Sequence, residues 1–306
     1  MQKLLILSTH ADEYAHIVKS AELPELGEIT FQPAEDCEIA FGEPNLIRDA
    51  LPQLPRLKWA QSTWAGVEPL LGSASRRDYI LTNARGVFGG LMSEFVFGYL
   101  LAHECKIFQR LAAQKNKIWD DSLTGTLQGK TIGLLGVGSI GAELALTAKF
   151  FGMTVRGYTR ESETSNHVDR YYHQAAELQK FSSGLDYLVS VLPNTMDTRK
   201  IINADLLNAL PSHALFINVG RGQAVDEVAL IEALNQNKIA GAVLDVFEQE
   251  PLPPEHPFWT TPNLLMTFHT SAPSFPEDIA QIFIENYLLY IEGKPLKYQV
   301  DFEKGY

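Results

Sequence analysis

Between residues 131 and 269 the chain carries six near-continuous apolar runs: TIGLLGV, MTVRGY, LDYLVSVLP, HALFINVG, IAGAVLDVF and NLLMTFH. Polar residues do not alternate along most of them, so the strands they form must be covered on both faces. Helix-like segments separate most of the runs. Strands of that kind, each followed by a helix, assemble into a parallel sheet with helices on either side. Six of them amount to a complete doubly wound sheet over residues 113–273.

The first hundred residues repeat the pattern on a smaller scale. Residues 3–8, 37–42, 57–61 and 79–83 read as buried strands, with ADEYAHIVKSAEL and a segment around Pro52 and Pro55 between them. A chain of 306 residues is long for one hydrophobic core, which agrees with two α/β domains. Residues 91–112, LMSEFVFGYLLAHECKIFQRLA, read as one long helix too apolar to be exposed. In the tail, Ile279, Ile282, Phe283, Tyr287 and Leu288 recur at helical spacing, so an amphipathic helix is expected there.

Composition narrows the partners. A net charge of −12 argues against nucleic acid, yet leaves room for a small anion at a local cationic spot. Cys37 and Cys105 are the only cysteines and form no CxxC, which fits a reducing compartment. No apolar run approaches the length of a membrane span. The four apolar residues after Lys3 are too few for a signal peptide and suit a first core strand. A cytoplasmic protein with no membrane partner is expected. No metal site is expected.

The first of the six runs continues as KTIGLLGVGSIGAELALTAKFFG. Gly136, Gly138 and Gly141 form a GxGxxG between a strand and an Ala/Leu-rich helix, the context in which that pattern means a dinucleotide. Glycines there permit a tight turn and let backbone N–H groups reach a pyrophosphate at the helix start. The next strand ends in Tyr158, Thr159 and Arg160, where an acid would be needed to grip the ribose hydroxyls. A hydroxyl followed by a guanidinium suits a 2′-phosphate. NADP(H) is therefore expected, with NAD(H) as second choice.

In a doubly wound sheet, ligands lie beyond the carboxyl ends of the strands. Three successive strands end near groups suited to one reaction. Arg221 follows FINVG, between Gly220 and Gly222, glycines that would let the backbone approach a ligand. Glu250 follows the strand closed by Asp245, in a segment stiffened by Pro251, Pro253 and Pro254. His269 closes the last strand. Reducing a 2-keto acid takes a hydride, a proton for the carbonyl oxygen and an anchor for the carboxylate. A guanidinium holds a carboxylate through paired hydrogen bonds. An imidazolium donates a proton, and an adjacent carboxylate fixes its tautomer and favours its charged form.

With these residues in place the chain resembles the D-isomer-specific 2-hydroxyacid dehydrogenases. The resemblance spans nearly the whole sequence, through QSTWAGVEPL, TNARGVFGGLMSEFVFGYLLA, GKTIGLLGVGSIG, FINVGRGQAVDE, LDVFEQEPLP and FHTS in that order. It implies Arg221, Glu250 and His269 as the catalytic set, and substrate contacts from Trp64, Ala65 and Gly66. Implied cofactor contacts are Met92, Ser139, Ile140, Leu192, Pro193, Val219 and Asp245, the last beside the nicotinamide carboxamide. The implied fold is a Rossmann cofactor domain, residues 100–273, inserted into a flavodoxin-like substrate domain of residues 1–99 and 274–306. A homodimer is implied as well. The residues YTR at 158–160 are similar to the NADPH-using glyoxylate/hydroxypyruvate reductase branch. A dinucleotide-sensing regulator on the same fold, or a phosphoglycerate dehydrogenase-like enzyme, stands as the alternative reading.

Overall fold

A computed structural model describes residues 1–72, 76–160 and 164–305. They divide into two compact units, 1–87 with 274–306, and 88–273. Both are parallel α/β sheets, as the apolar runs require.

The first unit contains β1 (Gln2–Leu7), α1 (Ala11–Ser20), β2 (Leu26–Thr30), β3 (Ile39–Gly42), α2 (Pro44–Ala50), β4 (Trp59–Ser62) and β5 (Ile80–Thr82). Its strand order, β2-β1-β3-β4-β5, is that of a flavodoxin-like sheet. One face packs Leu5, Ala40, Ala60 and Leu81 on residues of α2.

The second unit opens with α3 (Gly89–Glu104) and α4 (Ile107–Lys115). There follow β6 (Thr131–Leu135), α5 (Ser139–Phe150), β7 (Thr154–Tyr158), β8 (Arg170–Tyr172), α6 (Leu178–Ser182), β9 (Tyr187–Ser190) and α7 (Ala204–Ala209). It closes with β10 (Leu215–Asn218), α8 (Glu227–Asn235), β11 (Gly241–Leu244) and β12 (Leu264–Met266). The order β12-β11-β10-β9-β6-β7-β8 is doubly wound about β6 and β9. Successive residues of one strand enter different cores. Leu135, Leu188, Phe216 and Ala242 join one cluster, while Leu134, Val189, Ile217 and Val243 join another.

Two strands were not expected from the sequence, β2 and β8, and both lie at a sheet edge. Apart from Tyr172 their residues are exposed or only partly buried, so neither carries the apolar run that marks a central strand. The single helix expected over 91–112 is two helices. Lys106, in the left-handed region at φ +54°, separates them. Helix α3 packs against α5, whereas α4 buries none of its side chains. The domain boundary expected at residues 99 and 100 falls inside α3, which belongs whole to the second unit.

The C-terminal α9 (Pro276–Ile291) returns to the first unit. Ile279, Ile282, Phe283 and Tyr287 are buried as their spacing requires, but Leu288 remains exposed. The Phe283 ring stacks on Phe41 and on Trp59, with centroids 4.6 and 5.2 Å away. Beneath it runs a buried polar chain. Trp59 Nε1 donates to Thr82 Oγ1 (2.8 Å), and Thr82 Oγ1 donates to Gln61 Oε1 (2.7 Å). Asn286 Nδ2 donates to the same Gln61 oxygen (3.1 Å), and Asn286 Oδ1 accepts the Lys297 N–H (2.7 Å). Exchange of Asn286 for Leu orphans the Lys297 N–H and one Gln61 contact. We expect a loss of about 2–3 kcal/mol in urea unfolding; an unchanged midpoint would show the chain contributes nothing.

Candidate active site

The glycine-rich turn leaves β6 at Gly136, which sits at φ +95°, a conformation closed to most side chains. Its N–H donates to the carbonyl of Tyr158 on β7 (2.9 Å). A methyl group at Gly141 would overlap the Gly136 carbonyl, so the helix can start this close to the turn only with glycine there. Gly138 is the N-cap of α5 and brings no side chain over the first helical turn. The N–H groups of Ser139, Ile140 and Gly141 have no partner inside the helix. This side-chain-free cradle at the start of a twelve-residue helix fits a dinucleotide pyrophosphate. Leu192 and Pro193 follow β9, and Val219 follows β10, at the same carboxyl edge. Met92 lies on α3 against the core that includes Ile132 and Leu144.

Thr159 and Arg160 continue from β7. Thr159 is buried, its N–H bonded to the Tyr172 carbonyl (3.1 Å) and its carbonyl to His173 Nδ1 (2.7 Å). Thus β8, invisible in the sequence, fixes the backbone that carries both groups. Arg160 is exposed.

The three candidate groups lie beyond the ends of three adjacent parallel strands, β10, β11 and β12. At the end of β10, Asn218 is fully buried; its Nδ2 donates to the Arg221 carbonyl (3.0 Å) and its Oδ1 accepts the Gly220 N–H (3.2 Å). That pair of bonds sets the backbone from which the guanidinium leaves. Arg221 Nη1 donates to the carbonyl of Gly220 (2.8 Å). The flanking glycines serve another end than the one expected. A methyl at Gly220 would lie 2.7 Å from the backbone N and O of Leu192, and one at Gly222 would overlap the backbone of Phe247. They admit neighbouring segments of the chain itself, the cofactor-side loop after β9 and the loop leading to Glu250.

Glu250 Oε1 accepts the Phe247 N–H (2.9 Å), and Oε2 lies 2.8 Å from His269 Nδ1. A carboxylate only accepts, so the shared proton belongs to Nδ1, and Nε2 is the nitrogen left to exchange a proton. The hydrogen bond to Glu250, strengthened by its charge, holds the His269 imidazole above its ordinary value against the opposing effects of burial and Arg221. Burial pushes the Glu250 carboxyl up, but His269, the Phe247 N–H and Arg221 together hold it below the usual range. Arg221 is therefore near enough for its charge to act on both partners. Asp245, at the end of β11, is fully buried among residues near His269.

Trp64, Ala65 and Gly66 belong to the first unit, after β4. Ser62 Oγ accepts the Trp64 N–H (3.0 Å) and donates to the Trp64 carbonyl (2.9 Å). Asn83 Nδ2 donates to the Ala65 carbonyl (2.7 Å). Trp64 is 40% exposed, so it is not a core residue. Asn83, His173 and Asn218 were missed in the sequence. The signal for Asn218 was a polar residue ending an otherwise apolar strand.

The family model for the D-isomer specific 2-hydroxyacid dehydrogenase, NAD binding domain, matches residues 97–271. The chain belongs to the D-isomer-specific 2-hydroxyacid dehydrogenase family. It is 32% identical over 259 residues, 82% of either chain, to glyoxylate/hydroxypyruvate reductase A of Salmonella heidelberg (strain SL476). A solved family protein from Aeromonas salmonicida subsp. salmonicida A449 superposes with a TM-score of 0.92 at 41% identity, covering 98% of this chain and 99% of that one. The NADPH-dependent glyoxylate/hydroxypyruvate reductase of Sinorhizobium meliloti, solved with NADP and sulfate, gives 0.89 at 28% identity, with both chains covered in full.

An NMR titration of His269 should give a midpoint above the ordinary imidazole value, because the bond to Glu250 favours the charged ring. Glu250→Gln should move it to lower pH; a midpoint indifferent to that exchange would mean the pair is not coupled in solution.

Proposed function

We propose that this family member reduces a small 2-keto acid of the glyoxylate or hydroxypyruvate kind to the D-2-hydroxy acid, with NADPH as the preferred reductant. The observation that carries the reading is the 2.8 Å contact between His269 and Glu250 at the carboxyl edge of a sheet that also bears the glycine cradle. The reductases of Salmonella heidelberg and Sinorhizobium meliloti support the choice of substrate class and cofactor.

Arg221 binds the substrate carboxylate through its planar fork and draws electron density toward the carbonyl oxygen. NADPH, when bound, would supply the hydride for the carbonyl carbon. His269 gives the proton from Nε2 to the carbonyl oxygen as negative charge grows there. Glu250 keeps Nδ1 protonated and offsets the imidazolium charge until the proton leaves. Gly136, Gly138, Ser139, Ile140 and Gly141 would hold the pyrophosphate, and Thr159 with Arg160 would hold the 2′-phosphate. On this reading the second unit is the cofactor domain and the first the substrate domain.

The protein acts in the cytoplasm as a homodimer. Among the described residues no helix is long and apolar enough to cross a membrane. The dimer reading is supported by exposed large apolar side chains on the second unit: Phe108 and Leu111 of α4, Trp119 and Leu123 beyond it, and Phe150. Trp119 is 92% exposed and Leu123 87%, a cost in water that a partner surface would remove. Sedimentation velocity should show a dimer, and Trp119→Asp with Leu123→Asp should yield monomer; a monomeric wild type would reject the assembly.

A rate panel tests the activity. Glyoxylate and hydroxypyruvate should outrun pyruvate and a phenyl keto acid, and NADPH should outrun NADH. His269→Gln should lower kcat by about 10²–10⁴-fold, and Arg221→Ala should both lower kcat and raise KM for the keto acid. Thr159→Asp with Arg160→Ala should turn the preference toward NADH. Stoichiometric NADPH binding with no turnover of any keto acid would instead mark a cofactor-sensing regulator.

A further inference from the structure

We propose that Glu227 is the positioning residue for Glu250: its carboxylate meets both ends of the loop that carries Glu250 and keeps that loop in register with the segment beginning at Arg221. This rests on the reading of Glu250 as the group that holds the Nδ1 proton of His269.

The need for an anchor is visible at the pair itself. The side chains of His269 and Glu250 are 55% and 36% exposed, so water competes for both. An ion pair in that position contributes little unless its geometry is held from outside. Glu250 stands between β11 and the short helical turn Pro257–Thr260, in a stretch that is neither strand nor helix. Side chains must therefore fix its course.

Glu227, the first residue of α8, does so at two points. Its Oε1 accepts the N–H of Glu248, just before Glu250 (3.0 Å). Its Oε2 lies 3.2 Å from Nε2 of His256, at the far end of the loop. His256 Nδ1 accepts the Phe258 N–H (3.3 Å). An imidazole that accepts at Nδ1 carries its proton on Nε2, so the protonated nitrogen faces the carboxylate. One side chain thus closes the loop, with Glu250 inside it.

The residues between Arg221 and Glu227 press on the same place. Gln223 Nε2 donates to the Glu248 carbonyl (3.1 Å), so Glu248 is held at its N–H by one neighbour and at its carbonyl by another. Gln223 is tied in turn, its carbonyl accepting the Lys200 N–H (2.9 Å). Within the loop, the Pro253 carbonyl accepts the His256 N–H (3.0 Å) and the Trp259 indole N–H (2.8 Å). The stretch that carries Glu250 is therefore braced against the stretch that starts at Arg221, and the two candidate groups keep their places together.

Glu227→Gln keeps one acceptor oxygen and turns the other into an NH2, which must face either the His256 or the Glu248 N–H. Donor then meets donor at one end of the loop. The NMR midpoint of His269 should move to lower pH, the direction expected for Glu250→Gln, while Arg221 and Asp245, the other charges acting on the ring, stay unchanged. We expect kcat for glyoxylate to fall about tenfold and the NADPH dissociation constant from fluorescence titration to change less than about threefold. In a Glu250→Gln background, Glu227→Gln should alter kcat less than about twofold, because the contact it serves is already lost. An undiminished loss in that background, or a His269 midpoint that stays in place, would overturn the proposal. Should Glu227→Gln fail to fold, His256→Phe removes the nitrogen that faces Glu227 and His256→Gln puts an N–H back. The first should lower kcat and the second recover it; wild-type kcat in His256→Phe overturns the anchor. An unmoved His269 midpoint in Glu250→Gln alone would be a different failure, that of the His269–Glu250 pair.

Discussion

Everything in the site depends on β10, β11 and β12 lying side by side and pointing the same way. Parallel neighbours deliver their trailing loops to a single edge, so residues 221, 250 and 269, distant in sequence, become neighbours. Antiparallel pairing would send alternate loops to opposite ends. The strands themselves bear no chemistry: Leu215–Asn218 and Gly241–Leu244 are buried throughout and serve as rigid rails. The working parts lie beyond their ends, where side chains escape the sheet but their backbones remain within hydrogen-bond reach of it.

Holding those loops takes two devices. Glycine is used where two backbone segments must nearly touch. Gly222 faces the backbone of Phe247, and a side chain there would push away the segment that carries Glu250. Buried polar side chains are used where the ladder has run out. Asn218 binds the backbone around Arg221, and Asp245 does the same around His269. Both stand at strand ends, where an apolar residue would leave loop N–H groups without acceptors. The electrostatics follow from this rigidity. The imidazole is held by one carboxylate and influenced by a second, and the guanidinium opposes both influences on it.

Much of this was legible in the amino-acid order, for a physical reason. Strands covered on both faces must be apolar throughout, so the central strands stand out. A dinucleotide turn needs glycines at fixed spacing, so β6 and α5 stand out too. Side chains at the carboxyl edge of a parallel sheet follow apolar runs, and Arg221, Glu250 and His269 were named as candidates by that rule. Edge strands such as β2 and β8 are half wet and need no apolar run, hence they left no trace. The break at Lys106 was hidden because the residues on both sides of it favour helix equally well. The work of Gly220 and Gly222 could not be read, since it is set by segments that meet them only in three dimensions. Asp245 was noticed in the sequence, but which donors surround a buried carboxylate is a property of the fold alone.

If Arg221 anchors the carboxylate and His269 protonates the carbonyl oxygen, as proposed, hydride reaches only one face of the keto carbon. Chiral chromatography of the glycerate formed from hydroxypyruvate and NADPH tests this most directly. The D isomer alone is predicted, with one NADPH consumed per glycerate. A racemic product, or the L isomer, would contradict the arrangement of these residues around the substrate.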